Sequence, residues 1–315
     1  MTTLLSRKIE AIEMATLNLH IPLSLNPEHG FYSQRNKSEI LFGFSIRLKS
    51  DRPYTYLEFQ NVPPEQADDL LERFRRCLPW AAVRLDFGIL SDHERIKHVE
   101  SGTFDGQFST AYPTCSNAQP LRIDSNHRSE EADLRLFAAL REANEKTKLG
   151  CAIPGSPLVI ASELFAAADF EVTPNSRFLL LATVFEVLAN PKTRPEVCVV
   201  LVQELIDKAK KAENTEDHKR KDAFKALRQS AEHLKQESIR SSVRKLATKA
   251  SETFGDPEPE RTGKRAAELY DKRSDLVHEG HSVTWADVAE IRKLVREALA
   301  VEAGCHEHFR ERIHL

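Results

Sequence analysis

Two side chains in the last part of the chain, Arg273 and His278, have the types and the spacing to act together on a phosphate. An arginine presents a planar fork of donors suited to charge that builds on phosphoryl oxygens. A histidine titrates near neutrality, so it can take or return a proton at working pH. The two stand five residues apart in the segment Leu269-Tyr270-Asp271-Lys272-Arg273-Ser274-Asp275-Leu276-Val277-His278-Glu279-Gly280. In an unbroken helix that spacing turns them roughly 140° apart around the axis. They converge on one phosphate only if the helix unwinds near Gly280, or if a two-fold axis brings two copies of the segment together. Arg273 also shares a helical stripe with Ala266, Leu269, Leu276 and Gly280, so it faces a neighbouring helix, where an unpaired guanidinium is costly. Glu186 is the matching anomaly: it is the only charge between Arg177 and Lys192. Glu186 is therefore expected to pair with Arg273 or its immediate surroundings, as a purely structural lock or as part of a site.

The fuller pattern Tyr270-x-x-Arg273-Ser274-x-Leu276-Val277-His278-x-Gly280 extends the pair. Together with the apolar run Ser176 to Leu188, interrupted by Glu186, it resembles the ApeA-like branch of the HEPN family. The likeness covers about residues 157 to 303. It implies a helical bundle that dimerises and a composite site that cleaves RNA without a metal or other cofactor. In that reaction the ribose 2'-hydroxyl attacks its own phosphate, leaving a 2',3'-cyclic phosphate and a 5'-hydroxyl; DNA lacks the attacking group. The resemblance makes Arg273 and His278 catalytic and gives Glu186, Ser274, Asp275 and Tyr270 supporting places. In many active members Asn, Asp or His follows the arginine, whereas Ser274 does here; its hydroxyl can orient a phosphate but is a poorer acid or base. Asp275 is either its substitute or a solvated residue. A toxin-like effector of prokaryotic antiphage defence is implied as well, with the N-terminal domain sensing a trigger or restraining the activity. The alternative is a non-catalytic HEPN module that binds RNA, a nucleotide or a protein partner. An activity seated in the N-terminal part ranks last, because residues 1 to 125 contain no acid pair, phosphate loop or Ser/His/Asp set.

The elements that must position these residues form an α+β chain of two domains. Leu17, Leu19, Ile21, Leu23 and Leu25 alternate with polar residues, which predicts a half-buried strand with Pro22 at an edge or bulge. Phe42 to Leu48 and Tyr54 to Phe59 give two more strands. Pro63-Pro64-Glu65 opens a helix to about Leu78, and Val83, Leu85, Phe87 and Ile89 read as a further strand. Short strands are expected around Gln107-Phe108 and Leu121-Ile123. A helix from about Glu130 to Lys146 lies in a linker, 128–156, between a β-rich domain, 1–127, and a helical bundle, 157–315. In the bundle helices are expected from Leu158 to Ala168, Arg177 to Leu188, from Glu196, from Asp217 to Ser251 and from Arg261 to Val277. Thr284 caps a last one, with Asp287 in a capping-box position.

Hydrophobic residues make up 41% and charged residues 30% of the 315, which argues against disorder. No apolar run approaches the roughly 18 residues that span a bilayer, and the first residues lack a leader pattern; a cytoplasmic protein is expected. Five scattered cysteines signal neither disulfides nor a zinc ribbon, and buried free thiols are expected. The tail Cys305-His306-Glu307-His308, with His314, is expected to fray, with opportunistic metal binding the lesser reading. At a net charge of -3, any nucleic-acid surface must be local. Residues 205 to 250 hold 13 Lys and Arg against 7 Asp and Glu. Lys219, Arg220, Lys221, Lys225 and Arg228 are its densest part, and they suit an RNA backbone or simply a solvated helix face.

Overall fold

The computed structural model describes residues 16–25, 38–51, 54–86, 88–91, 96–104, 109–115, 119–120, 131–153, 155–214 and 218–310. They belong to two compact units, Met1–Val184 with Leu299–Leu315, and Phe185–Ala298.

The first unit is built on a mixed sheet. Strand β1 (Leu17–Leu25) pairs antiparallel with β4 (Tyr54–Val62), which pairs with β3 (Phe44–Asp51), which pairs with β2 (Ser38–Leu41). On its other side β1 pairs with β8 (Thr110–Pro113) through Leu17 to His20 and with β5 (Ile89–Ser91) through Leu23 to Leu25. The two-residue β6 (Lys97–His98) joins β8 in parallel, and β7 (Thr103–Phe104) pairs with β9 (Gln119–Pro120) apart from the main sheet. Thus β1 is central, not an edge. Pro22 falls in the interval between β8 and β5, where its missing N–H need not break the ladder on that side. Leu19 and Ile21 are fully buried, and Phe59 of β4 meets Phe74 of α1 (Ala67–Leu85) edge-on, with centroids 6.0 Å apart.

The opposite face of β1, expected to be polar and half-exposed, is polar and buried. His20, Glu58, Tyr56 and Tyr112 are each at most 5% exposed. Glu58 accepts a 2.6 Å hydrogen bond from the Tyr112 hydroxyl, and the His20 ring lies 4.2 Å from that of Tyr56. Burial first, and then the bond to Glu58, push the Tyr112 phenol above its usual range.

Two expectations about α1 and its neighbour fail for one reason. The helix continues through Pro79 to Leu85, so no strand starts at Val83, and β5 holds only Ile89–Ser91. Trp80, Ala81, Ala82 and Val83 are completely buried, and burial on every side erases the helical period while outweighing a proline cost of about 3 kcal/mol. Leu136 and Leu140 of α2 (Glu131–Lys146) and Phe165 of α3 (Pro157–Ala168) extend this core. Because α2 and α3 pack on α1, the first unit reaches to Val184, beyond the boundary expected at 127–156. The segments 107–108 and 121–123 lie outside the described residues.

The tail does not fray where it is described. Cys305 is buried and donates to the Glu142 carboxylate at 3.3 Å, and α10 (His306–Arg310) sets Phe309 5.5 Å from Trp80. Glu142 also accepts from Trp80 Nε1 at 3.0 Å and Arg84 Nε at 3.3 Å. Burial beside Glu142 pushes the Cys305 thiol up to about 12, and burial does the same for Cys77. Both are inert packing groups at neutral pH; Cys115 and Cys151 are exposed.

The second unit is helical. It takes the end of α4 (Pro174–Leu188), then α5 (Glu196–Ala212), α6 (His218–His233), α7 (Ile239–Phe254), α8 (Pro259–His278) and most of α9 (Trp285–Glu302). The single helix expected over 217–251 is two. Its break has no proline or glycine; an isolated bridge between Thr193 and Gln236 holds it, with Glu237 N donating to Lys192 O at 2.9 Å and Ser238 capping α7. Helix α8 lies tightly against α7 at Gly263. A methyl group there would overlap the Thr248 hydroxyl and stand 2.8 Å from the Arg244 carbonyl oxygen. Overpacking costs about 1–3 kcal/mol, more than the roughly 1 kcal/mol that alanine contributes over glycine in a helix. Gly263→Ala is therefore expected to lower the urea midpoint, and adding Thr248→Ala recovers only part, since the carbonyl remains.

Among the described residues no helix is long and apolar enough to cross a membrane.

Candidate functional site

Helix α8 runs unbroken from Pro259 to His278, and consecutive side chains near its end tie it to three neighbours. Tyr270 donates from its hydroxyl to Glu186 Oε1 of α4 at 2.8 Å. Asp271 accepts from Arg240 Nε of α7, at 2.8 Å to each carboxylate oxygen. Lys272 Nζ donates to Asp287 Oδ1 of α9 at 2.6 Å. Arg273 returns to α4, with Nε 3.2 Å from the same Glu186 Oε1. These anchors fix the helix's rotation, and the rotation fixes what Arg273 and His278 can reach.

The contact expected between Glu186 and Arg273 is present, though neither is fully buried: the side chains are 31% exposed for Arg273 and 22% for Glu186. The Arg273 Nε–H does not point at the carboxylate, so this is a close charge contact and not a directed hydrogen bond. Such a part-exposed pair contributes about 1 kcal/mol or less. Its consequence is orientation. With Nε turned to Glu186, the two terminal guanidinium nitrogens carry no protein partner among the described residues. Burial first, and then its bond to Glu186, push Tyr270 up to about 12, with the Arg273 charge pulling the other way. At neutral pH Tyr270 is a donor that holds Glu186, not a base.

His278 is exposed in the final turn and has no protein partner among the described residues. Gly280 takes a left-handed φ of 72°, and the Asp275 carbonyl accepts from Glu279 N at 2.9 Å and His281 N at 3.3 Å. The turn begins after His278, so the helix does not unwind between the two residues. Arg273 and His278 remain roughly 140° apart around one axis. Ser274 is half-buried and Asp275 exposed, both on the same helix. His281 sits 3.4 Å from Glu279, and both are exposed.

The capping box expected at α9 is reciprocal. Asp287 N donates to Thr284 Oγ1 at 3.2 Å, while Thr284 N and Oγ1 donate to Asp287 Oδ2 at 3.1 and 2.9 Å. What sequence reasoning missed is that Asp287 also holds Lys272, beside Arg273. An exposed lysine on a helix has many acids in reach, so nothing in the sequence singled out that pair.

Burial alone would raise the Asp287 carboxyl, but hydrogen bonds from Lys272 and Thr284 outweigh it and the net direction is down. The bond from Arg265 lowers Glu290. Asp256 falls to about 2 through hydrogen bonds from Ser251, Thr262 and the Glu258 amide. Depressed carboxylates stabilise the fold above their unfolded pKa and lose that contribution as pH falls through the folded value. Glu297, raised by burial, works the other way. Thermal midpoints are therefore expected to fall between about pH 4 and pH 2, and Asp256→Asn to flatten that fall when followed by circular dichroism.

The basic stretch is more neutralised than its composition suggests. Arg228 Nε donates to Glu213 at 3.1 Å, Arg244 to Glu260 at 2.8 Å, Arg240 pairs with Asp271, and Lys245 meets Glu237. Lys219, Arg220, Lys221 and Lys225 are exposed on α6. A groove of about 870 Å³ opens beside the other end of α8, lined by residues including Asp256, Arg261, Arg265, Glu290 and Glu297. It includes none of Glu186, Arg273 or His278. Arg265 is held there by Glu290 in two bonds of 2.8 and 2.7 Å, so its guanidinium fork is taken.

No family model, no curated protein and no solved structure matches this chain.

Proposed function

We propose that this chain is a metal-independent endoribonuclease of HEPN type that works as a homodimer. The observation that carries the reading is the arginine held from behind. Glu186 and Tyr270 occupy one side of Arg273, while, among the described residues, its terminal nitrogens and His278 on the same helix have no protein partner. A guanidinium oriented in this way suits the anionic oxygens of a phosphorane. His278 takes the 2'-hydroxyl proton as that oxygen attacks phosphorus; the P–O5' bond breaks, and a protonated histidine gives the leaving 5'-oxygen its proton. The electron pairs balance without a metal or redox partner.

One protomer does not complete the site, because its own Arg273 and His278 point apart. Two copies facing each other across a two-fold axis supply an arginine and a histidine to a shared cleft. Lys219, Arg220, Lys221 and Lys225 are the basic residues proposed to follow the RNA backbone, while Arg228 is held by Glu213. A toxin-like effector of antiphage defence in the cytoplasm is the setting proposed, with the sheet-bearing unit answering a trigger.

The second reading, a HEPN module that binds RNA, a nucleotide or a protein without cutting, is favoured by Ser274, whose hydroxyl is a poor acid or base in the position after Arg273. Incubating the EDTA-treated protein with total RNA and with single-stranded DNA separates the two. The nuclease reading expects RNA alone to be cut, with 2',3'-cyclic phosphate ends. RNA retained on a filter but left whole supports the binding module instead.

A further inference from the structure

Helices α5 and α6 form an antiparallel hairpin whose register is set by Gln203 with Lys235 at 2.9 Å and Glu213 with Arg228 at 3.1 Å. Among the described elements the two helices pack chiefly on each other, burying Ile206 and Ala209 of α5 and Ala231 of α6. Val197, Leu201 and Leu205 follow at four-residue steps along α5, and Leu227 and Leu234 stand one heptad apart on α6. All five are between 39% and 67% exposed. Measured from the buried positions, both stripes turn the same way around their axes, which in an antiparallel pair puts them on one face. A two-helix apolar face left in water has the form of a docking groove.

The charges around the face choose the occupant. Residues 192–245, which include the segments held at the hairpin's base, carry 14 Lys and Arg against 9 Asp and Glu. Part of this charge is neutralised: Arg228 pairs with Glu213, Lys235 with Glu232 and Lys245 with Glu237. Among the described residues Lys192, Lys208, Lys210, Lys211, Lys221 and Lys225 have no ion-pair partner. Such a surface repels a copy of itself and attracts an acidic one. RNA would answer the lysines but leave the leucines in water. A bilayer would take the leucines, but it would also desolvate Glu204, which shares the α5 stripe with Val197, Leu201 and Lys208. A protein partner meets Glu204 with a hydrogen-bond donor. We infer that the face takes an acidic amphipathic helix of another protein. Its apolar stripe lies on Leu201, Leu205, Leu227 and Leu234, and its carboxylates lie against the unpaired lysines. The 17 residues of α5 span about 25 Å, so a helix of about five turns covers the face. This docking is independent of RNA cleavage.

The probe is a fluorescein-labelled synthetic helix of about five turns, with leucine at its heptad a and d positions and glutamate and alanine elsewhere. It is titrated with the full chain and followed by anisotropy. Micromolar binding is expected, at least tenfold tighter than for the same peptide with lysine replacing glutamate or with its leucines scrambled off the stripe. Leu201→Glu with Leu205→Glu is expected to weaken it at least tenfold at unchanged circular dichroism. Lys208→Glu with Lys211→Glu keeps every leucine, and is expected to weaken the acidic peptide at least tenfold while strengthening the lysine one. A wild type that does not bind the acidic peptide, equal binding of the two peptides, or either double variant binding as wild type does overturns the inference. Phosphatidylserine vesicles that sediment wild type but not the leucine variant also overturn it and give the face to a membrane. Single-stranded RNA that binds wild type but not that variant overturns it in favour of RNA. RNA cleavage by Leu201→Glu with Leu205→Glu is expected to match wild type, so failure of the docking and failure of the nuclease are told apart.

Discussion

Arg273→Ala is expected to reduce RNA cleavage by about 100- to 1000-fold, the range for removing one preorganised donor from a developing oxyanion. The loss belongs in kcat, because the terminal nitrogens meet charge that grows only as the phosphorane forms. Arg273→Lys keeps the charge but not the fork, so it is expected to recover only part of the rate. His278→Ala is expected to cost about 100- to 10,000-fold through lost proton transfer. His278 is exposed, so its removal is expected to leave the urea midpoint within about 0.5 kcal/mol of wild type. Single-turnover assays on a short RNA, with denaturation alongside, check both statements. Cleavage that persists within threefold in either alanine variant, with the fold intact, contradicts the assignment.

The second large effect lies in the other unit and concerns stability. Trp80→Ala is expected to cost about 3–5 kcal/mol, the range for deleting a buried aromatic. Trp80 is fully buried, its Nε1 donates to Glu142 at 3.0 Å, and its ring carries Phe309 at 5.5 Å. Removing it leaves a cavity and withdraws one of the three donors that Glu142 accepts. Trp80→Phe keeps most of the apolar area and loses only the N–H, so a cost of about 1–2 kcal/mol is expected. The two variants together separate packing from the hydrogen bond in urea titrations. Limited proteolysis is expected to remove the segment beyond Gly304 first in Trp80→Ala, because Phe309 has lost the ring it packs against. Equal midpoints for Trp80→Ala and wild type contradict this account of the core.

What could be read in the sequence follows from which signals are local. Strands such as Leu17–Leu25 and helices such as Pro259–His278 show their periods directly. The contact between Glu186 and Arg273 was legible because each is a charge stranded on an apolar stripe, and the Thr284–Asp287 box because capping is local. The continuation of α1 past Pro79 was not, since the stretch Trp80 to Val83 is buried on all sides and carries no period. The break at 234–238 was hidden because a bridge to Thr193, distant in sequence, makes it. Nor was the pairing of Arg228, Arg240 and Arg244 visible: surface charges of both signs are common, and only the packing of helices chooses partners. Polar residues on the second face of β1 suggested solvent, yet Glu58 and Tyr112 satisfy each other under cover.

In the proposed reaction the 2'-hydroxyl of the substrate is the attacking group, and this protein's own side chains move its proton. A DNA oligonucleotide containing a single ribose, incubated with the EDTA-treated protein and resolved by mass spectrometry, tests it most directly. One cut is expected, on the 3' side of that ribose, leaving a 2',3'-cyclic phosphate on one product and a 5'-hydroxyl on the other. Cuts at deoxyribose positions, or products with linear phosphates from the outset, contradict the proposed reaction, and binding without any cut leaves the non-catalytic module in its place.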